Sequence, residues 1–466
     1  MNVRIRFLGG AGSVTGSRFL LEIDNYKLLI DCGLFQGLKE LRLRNWDDFP
    51  VDPKSINAIV LTHGHIDHSG YLPRLVKQGF NGTIHCTSPT EDLLEVLLTD
   101  AAKLQEEEAG WAKKKGYSKH ENPQPLFTSE DVLAYLSILN GHNFQERIKI
   151  SDTIVGTFQP AGHILGASSI LLEIFGNQQT KTILFSGDLG RDDDPIHGRP
   201  QKAPQADVLF IESTYGNRNH HDGNIEQEFA SIINDTINHG CLLIPSFAVG
   251  RTQLLLFYIE KLLETNQIPA IPVYVDSPMA ISATSLYRKH LDNHILDDED
   301  LRDIGCAFDH PLIKYHRLKE LSANLNTIKT GAVIISASGM CTGGRILHHL
   351  YHRLPRANDT VLFVGYQADG TRGRRILNGE PTIRIFGVDV PVHSRISNID
   401  GLSAHADQQN LLHWLDNISS APKRTFVVHG EKENSEGLAS KIRLEKGWDN
   451  VIVPQYLESL EIFEGI

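Results

Sequence analysis

The run Thr62-His63-Gly64-His65-Ile66-Asp67-His68 places four potential metal ligands within six consecutive positions, and it limits the possible folds more than any other stretch of the chain. It follows an apolar strand-like segment, Ala58-Ile59-Val60-Leu61, and precedes Ser69-Gly70-Tyr71-Leu72-Pro73. In an extended chain every second side chain shares a face, so His63 and His65 point the same way and can hold one ion. Asp67 and His68 lie just beyond, where the chain turns, within reach of a second ion. Neutral imidazole and carboxylate are the nitrogen and oxygen donors of mixed zinc sites. Four such groups at a strand end read as a metal site for two ions, in preference to a solvated loop or satisfied core histidines.

Three further strand ends repeat the design. Gln159-Pro160-Ala161-Gly162-His163 supplies a third nitrogen for the ion held by His63 and His65. Phe185-Ser186-Gly187-Asp188 presents a carboxylate flanked by glycines, which let another group approach closely. With two oxygens, Asp188 can bridge ions roughly 3.5–4 Å apart, the spacing of two-metal hydrolytic sites. Val427-Val428-His429-Gly430 ends another apolar run. Any one of these is weak evidence, because a lone strand-end His or Asp is usually structural; together they form a strong signal.

Composition fits a soluble enzyme. A length of 466 residues, with 41% hydrophobic and 22% charged residues, allows more than one domain and a large core. No apolar run is long enough to span a bilayer, and the start, Met1 to Phe7, reads as a strand with no secretory segment, so no membrane partner is expected. The five cysteines, at 32, 86, 241, 306 and 341, form no C-x-x-C pair and suit small core residues in a reducing cytoplasm. A net charge of -12 argues weakly against a nucleic-acid partner, yet residues 311–399 carry 12 Lys and Arg against 5 Asp and Glu.

The pattern along the chain alternates strands and helices. Strands are expected from Val3 to Leu8, Ser17 to Ile23, Tyr26 to Asp31, Ile154 to Gln159, Ser169 to Ile174 and Thr182 to Phe185. Glu91 to Lys115 reads as a long helix, and Ser129 as the cap of another. Short apolar runs at 241–244, 273–275, 333–335 and 361–364 suit buried parallel strands, with an amphipathic helix from Arg251 to Leu263. The stretches 117–125 and 292–303 read as surface loops or helix connections, and Asp192-Asp193-Asp194 as an exposed loop. His348, His349 and His352, on a helix from Arg345 to Leu354, suggest a surface or interdomain role without a carboxylate partner. His220-His221 reads as a polar loop.

Leu29-Ile30-Asp31, His63 to His68, His163 and Ser186-Gly187-Asp188 resemble the four motifs of the metallo-β-lactamase fold. Glu212 in Ile211-Glu212-Ser213-Thr214-Tyr215-Gly216, His405 in Leu402-Ser403-Ala404-His405-Ala406-Asp407, and His429 resemble those of its nucleic-acid-processing branch, the β-CASP family. The resemblance covers essentially the whole chain. It extends to RNA 3′-end-processing endonucleases and their short bacterial and archaeal counterparts. It implies an α/β architecture, a metallo-β-lactamase four-layer αβ/βα sandwich from 1–211 and 397–466, with an inserted α/β β-CASP domain at 212–396 and the active site in the cleft between. Archaeal relatives often carry RNA-binding domains ahead of the catalytic module, and none is expected ahead of Val3.

The resemblance also implies roles. One ion would be held by His63, His65 and His163, the other by Asp67, His68 and His429, with Asp188 bridging. The cofactors would be two Zn2+, Mn2+ or Fe2+ being compatible with the same ligands. A metal-bridged hydroxide would attack the phosphodiester of single-stranded RNA, with Asp67 and Asp188 in the catalytic set. Asp31 would fix the tautomer of a ligating imidazole. His405, oriented by Glu212, would protonate the leaving oxygen. Members that cut DNA carry a non-histidine residue at the position of His429, which favours RNA.

The inserted segment would bind the RNA. Arg251, the hydroxyls and amides of Ser336, Ser338 and Gly339, and the basic cluster Arg372, Arg374 and Arg375 are the candidates, although any single arginine also suits a solvated face. Two other classes compete with a dizinc ribonuclease: a metallo-hydrolase of small esters or thioesters, and a non-catalytic RNA-processing scaffold. The first needs neither the insertion nor the Glu212 and His405 pair, and the second would have lost ligands. Endo- or exonuclease action is open. A homodimer and RNA-processing partners are compatible with the resemblance.

Overall fold

A computed structural model describes residues 1–115, 123–177, 179–220, 223–290 and 308–466. The chain divides into two units, Met1–Asn219 with His405–Ile466, and His220–Ala404.

The first unit is built on alternation. Strand Val3–Gly9 buries Val3, Ile5 and Phe7 while exposing Arg4, and it pairs antiparallel with Arg18–Ile23. Leu8 and Leu20 face the other way and are buried as well, so this sheet is covered on both faces. The sheet has seven strands in the order Ser459–Phe463, Val3–Gly9, Arg18–Ile23, Tyr26–Ile30, Ala58–Val60, Thr83–Thr87 and Leu139–His142. A second seven-stranded sheet runs Val451–Ile452, Arg424–Val428, Val208–Glu212, Thr180–Phe185, Ser168–Phe175, Ile154–Pro160 and Arg147–Lys149.

The inner faces meet in an aromatic-rich core. Phe185 and Phe210 stack with centroids 4.2 Å apart, and Phe7, Phe19 and Phe426 close around them. Helices Leu72–Lys77, Ser88–Lys115 and Ser129–Leu136 pack on the outer face of the first sheet. Lys432–Lys446 lies against Arg424–Val428 of the second. This is the expected αβ/βα sandwich. Truncating the central ring by Phe210→Ala is expected to cost about 3–5 kcal/mol, read as a shift in the denaturation midpoint of the full chain.

The second unit holds a six-stranded sheet, parallel throughout, in the order Ile313–Tyr315, Val273–Val275, Ala332–Ser336, Cys241–Pro245, Thr360–Phe363 and Arg395–Asn398. A separate antiparallel pair, Thr382–Ile385 and Val388–Pro391, follows. Helices Ile225–Ile237, Arg251–Glu264, Pro278–Lys289 and Ile346–Arg353 belong to this unit.

Several expectations need correction. The helix Ser129–Leu136 is capped by Thr128, whose hydroxyl accepts from Asp131 N while Asp131 reaches back, so Ser129 is its first residue. Asp194 is not part of an exposed loop. It is buried and accepts from the amides of Ile196 and His197 and from the His197 ring. His349 has a carboxylate partner after all: it is fully buried between Asp276 (2.7 Å) and Asn326 (2.9 Å), both in its own unit. Arg345 joins the same carboxylate at 2.7 Å. Sequence spacing concealed this pair, since Asp276 lies 73 positions away.

Cys32, Cys86, Cys241 and Cys341 are buried. Cys306, His221, the expected loop at 292–303 and residues 117–122 of the one expected at 117–125 lie outside the described residues. No described helix is long and apolar enough to cross a membrane.

Candidate metal centre

The site lies at one edge of the sandwich because its residues follow the carboxyl ends of strands running in the same sense. In the second sheet, Thr180–Phe185, Val208–Glu212 and Arg424–Val428 are mutually parallel. Asp188, Glu212 and His429 therefore emerge together. In the first sheet, Tyr26–Ile30 and Ala58–Val60 are parallel and deliver Asp31 and the histidine run. Two glycines permit the close approach of the backbones. A Cβ on Gly33 would lie 1.6 Å from the Asp67 carbonyl oxygen, and Gly187, at φ +57°, would clash with Ser168 and Thr62.

Two donor sets result. His63 Nε2 and His163 Nε2 lie 3.1 and 3.2 Å from His65 Nδ1, and 3.4 and 3.7 Å from Asp188 Oδ2. His68 Nε2 and His429 Nε2 lie 3.2 and 3.5 Å from Asp188 Oδ1, with Asp67 Oδ2 3.9 Å from His429 Nε2. Asp188 thus turns one oxygen to each group. Four donors around a zinc ion at roughly 2.0–2.1 Å are separated by about 3.4 Å in a tetrahedron, and the observed spacings fit.

His68 Nε2 and Asp188 Oδ1 supply a further test. Both are buried without a hydrogen bond, although they face each other at 3.2 Å. A cation beside both would satisfy two otherwise costly groups.

Electrostatics differ among the donors. Burial, aided by neighbouring imidazoles, drives His63 well below its ordinary range and His429 down to about 3, so both stand as neutral donors. Burial raises Asp188, but His429, His68 and His63 outweigh it and hold the carboxyl well below its usual range. At His68 burial lowers the pKa, and Asp188 and Asp31 more than reverse it. Burial lifts Asp67 to about 6. The residues that face water are half-buried His65 and Asp67, while His63, His163, Asp188 and His429 are enclosed.

Beside these sets, Glu212 is buried and accepts from Leu189 N (2.8 Å) and Thr214 N (3.1 Å). Its Oε1 also meets His405 Nδ1 at 3.2 Å, and the His405 ring lies 4.4 Å from that of His163. Burial pulls the His405 imidazolium down, yet Glu212, Asp188 and Asp67 together raise its pKa. Asp31 accepts from His68 Nδ1 at 2.7 Å.

Two contacts escaped the sequence reading. Ser17 Oγ lies 2.6 Å from His429 Nδ1, and Ser17 N donates to the Asp67 carbonyl. Thr62 Oγ1 lies 3.0 Å from His63 Nδ1. The Ser17 contact joins residues 412 positions apart, which leaves no local sequence signal; Thr62 is adjacent to its histidine, and a hydroxyl before the run was the available clue.

In the second unit, three of the RNA-binding candidates converge and others do not. Arg251 begins a helix after Cys241–Pro245, its guanidinium against Gly365; Gly339 packs on Phe247 and accepts from Gln367 Nε2 at 3.1 Å. Ser338, half-buried, bonds Thr342 at 3.0 Å. These loops follow three adjacent strands at their carboxyl ends, where open parallel sheets bind ligands. Ser336 is buried and donates to the Asp276 carbonyl. Arg372 donates to the carbonyls of Arg384 and Thr342. Arg374 pairs with Asp369 at 3.1 Å, and Arg375 grips Glu380 through Nε at 2.8 Å.

Comparison with known proteins agrees with this geometry. Residues 14–221 match the metallo-beta-lactamase superfamily, 252–376 the Beta-Casp domain, and 389–454 the Zn-dependent metallo-hydrolase RNA specificity domain. Ribonuclease TTHA0252 of Thermus thermophilus is 34% identical over 452 residues, covering 95% of this chain and 96% of that protein. Transcription termination factor FttA of Methanocaldococcus jannaschii is 29% identical over 455 residues, covering 95% of this chain and 69% of that protein. A crystal structure of a protein of unknown function from Enterococcus faecalis V583 shares the fold, with a TM-score of 0.54 at 14% identity over 99% of this chain and 100% of that one. With these matches and the strand-end ligand sets, the chain belongs to the β-CASP family of the metallo-β-lactamase superfamily.

Proposed function

We propose that the chain is a metal-dependent ribonuclease that hydrolyses phosphodiester bonds of single-stranded RNA with two zinc ions. The observation that carries this is Asp188, which turns one oxygen toward each of two histidine-rich donor sets. The named ribonuclease among its relatives supports RNA as the substrate class. His63, His65, His163 and Asp188 would hold one ion, and Asp67, His68, His429 and Asp188 the other. Bound there, the ions would supply an activated water and neutralise charge on the phosphoryl oxygens.

The protein's own groups do the rest. Glu212 holds His405 through Nδ1, which leaves Nε2 as the atom that delivers a proton to the leaving oxygen. Segment 212–396 would bind the RNA, with Arg251, Ser338 and Gly339 around one phosphate. Arg→Lys at 251 removes the planar fork of donors. It is expected to raise KM about tenfold, the worth of one charge-assisted hydrogen bond of about 1.5 kcal/mol, with kcat retained. Arg375→Ala, whose guanidinium is already held by Glu380, is expected to change KM less than about twofold.

A panel of end-labelled single-stranded RNA, matched DNA and a thioester tests the reading. RNA cleavage alone supports it, and the label distinguishes endo- from exonuclease action. Thioester turnover without RNA cleavage would make the chain a small-molecule hydrolase, and inactivity on all three would favour a scaffold.

A further inference from the structure

The contacts behind the ligating imidazoles are linked through one carboxylate. Asp31, 1% exposed at the end of Tyr26–Ile30, accepts from His68 Nδ1 on Oδ2 at 2.7 Å. Thr62 donates twice to the same side chain, from its amide to Oδ1 at 2.7 Å and from its hydroxyl to Oδ2 at 2.9 Å. A hydroxyl has a single proton. With that proton on Asp31, the Thr62 oxygen accepts from His63 Nδ1, 3.0 Å away, because His68 Nδ1, 3.4 Å away, is already bonded to Asp31 at 2.7 Å. The reverse arrangement would set a hydroxyl lone pair against a buried carboxylate oxygen, leaving both unsatisfied. His63 is therefore protonated at Nδ1, and its Nε2 lone pair faces Asp188 Oδ2 at 3.4 Å. The direct bond holds a proton on His68 Nδ1 as well and leaves Nε2, 3.2 Å from Asp188 Oδ1, as the atom that would turn to the ion.

We infer that Thr62 is a positioning residue that extends the hold of Asp31 to His63, so that one buried carboxylate sets the ligating tautomer of an imidazole in each donor set. Ser17 performs this task separately for His429. With Nε2 on the ion, the ring proton would sit on Nδ1 and be accepted by the Ser17 hydroxyl, 2.6 Å away, while the Ser17 amide donates to the Asp67 carbonyl. The inference rests on the reading of both donor sets as metal sites. It makes the two sets unequal in what they depend on. The His63 set needs Thr62 and Asp31, the His429 set needs Ser17, and His68 ties the second set to Asp31 as well.

Thr62→Val keeps the β-branched shape and the amide bond to Asp31 but removes the hydroxyl, whereas Thr62→Ser keeps the hydroxyl. Zinc is titrated into metal-free full-length protein against a competing chelator. Crystals soaked at graded zinc then give the occupancy of each set from anomalous scattering. Thr62→Val is expected to weaken zinc at His63, His65 and His163 about 10–100-fold, the usual effect of losing such a contact, and to change the other set less than about threefold. Thr62→Ser restores wild-type binding, Ser17→Ala weakens only the Asp67, His68 and His429 set, and Asp31→Asn weakens both. Wild-type affinity at both sets in Thr62→Val overturns the inference, and so do equal losses at both. If wild-type protein takes up no zinc, the metal-site reading itself falls.

Discussion

Asp188→Ala is expected to remove RNA cleavage by about 10³-fold or more, the scale of losing a preorganised electrostatic group at the reacting centre. The reason is geometric. Asp188 places its two oxygens within 3.7 Å of histidines from both sets. Without it His63 and His163 lose one carboxylate oxygen, and His68 and His429 lose the other. Zinc content should fall from two ions per chain to one or none, measured by elemental analysis after gel filtration. Asp188→Asn separates charge from shape. The amide fills the same space among the imidazoles but has one oxygen where the carboxylate has two, and no net charge. It should lose activity nearly as completely while unfolding at close to the wild-type temperature.

His405→Ala is expected to lower kcat about 10²–10⁴-fold with metal content and KM little changed, the range for removing a general acid. The imidazole is held by Glu212, itself fixed by two backbone amides, and its ring abuts His163 without belonging to the His63, His65 and His163 set. Glu212→Gln should have a smaller effect, because the amide retains one acceptor and the His405 ring stays in place. A leaving-group comparison distinguishes proton delivery from metal positioning. A diester that releases 4-nitrophenolate needs no proton, so His405→Ala should cleave it nearly as fast as wild type. An equal loss on RNA and on that diester would remove His405 from the role of acid.

The grouping of the candidate metal ligands was legible because they cluster at strand ends, where spacing and strand period both limit their direction. His63 and His65 alternate along an extended chain, and Asp188 and His163 follow apolar runs that end in glycine-containing turns. Glu212 and His405 were legible only through family resemblance, since a lone glutamate at a strand end carries no chemical signature. The parallel strands at 241–245 and 273–275 announced themselves as short apolar runs bounded by polar residues. Strands such as Arg395–Asn398 did not, because their side chains are partly exposed at a sheet edge. The basic cluster at 372–375 illustrates the limit of counting charge. Asp369 and Glu380 flank it in sequence, and the fold brings each onto an arginine. His349 and Asp276 show the converse, a buried pair assembled from distant segments that only the packing of the parallel sheet brings together.

The most direct measurement is a zinc titration of chelated protein, followed by cleavage of end-labelled single-stranded RNA. The account predicts no cleavage in the metal-free protein, recovery that saturates at two equivalents of zinc per chain, and none in Asp188→Ala at any zinc concentration. Cleavage that persists in metal-free protein, or that survives loss of Asp188, would contradict it.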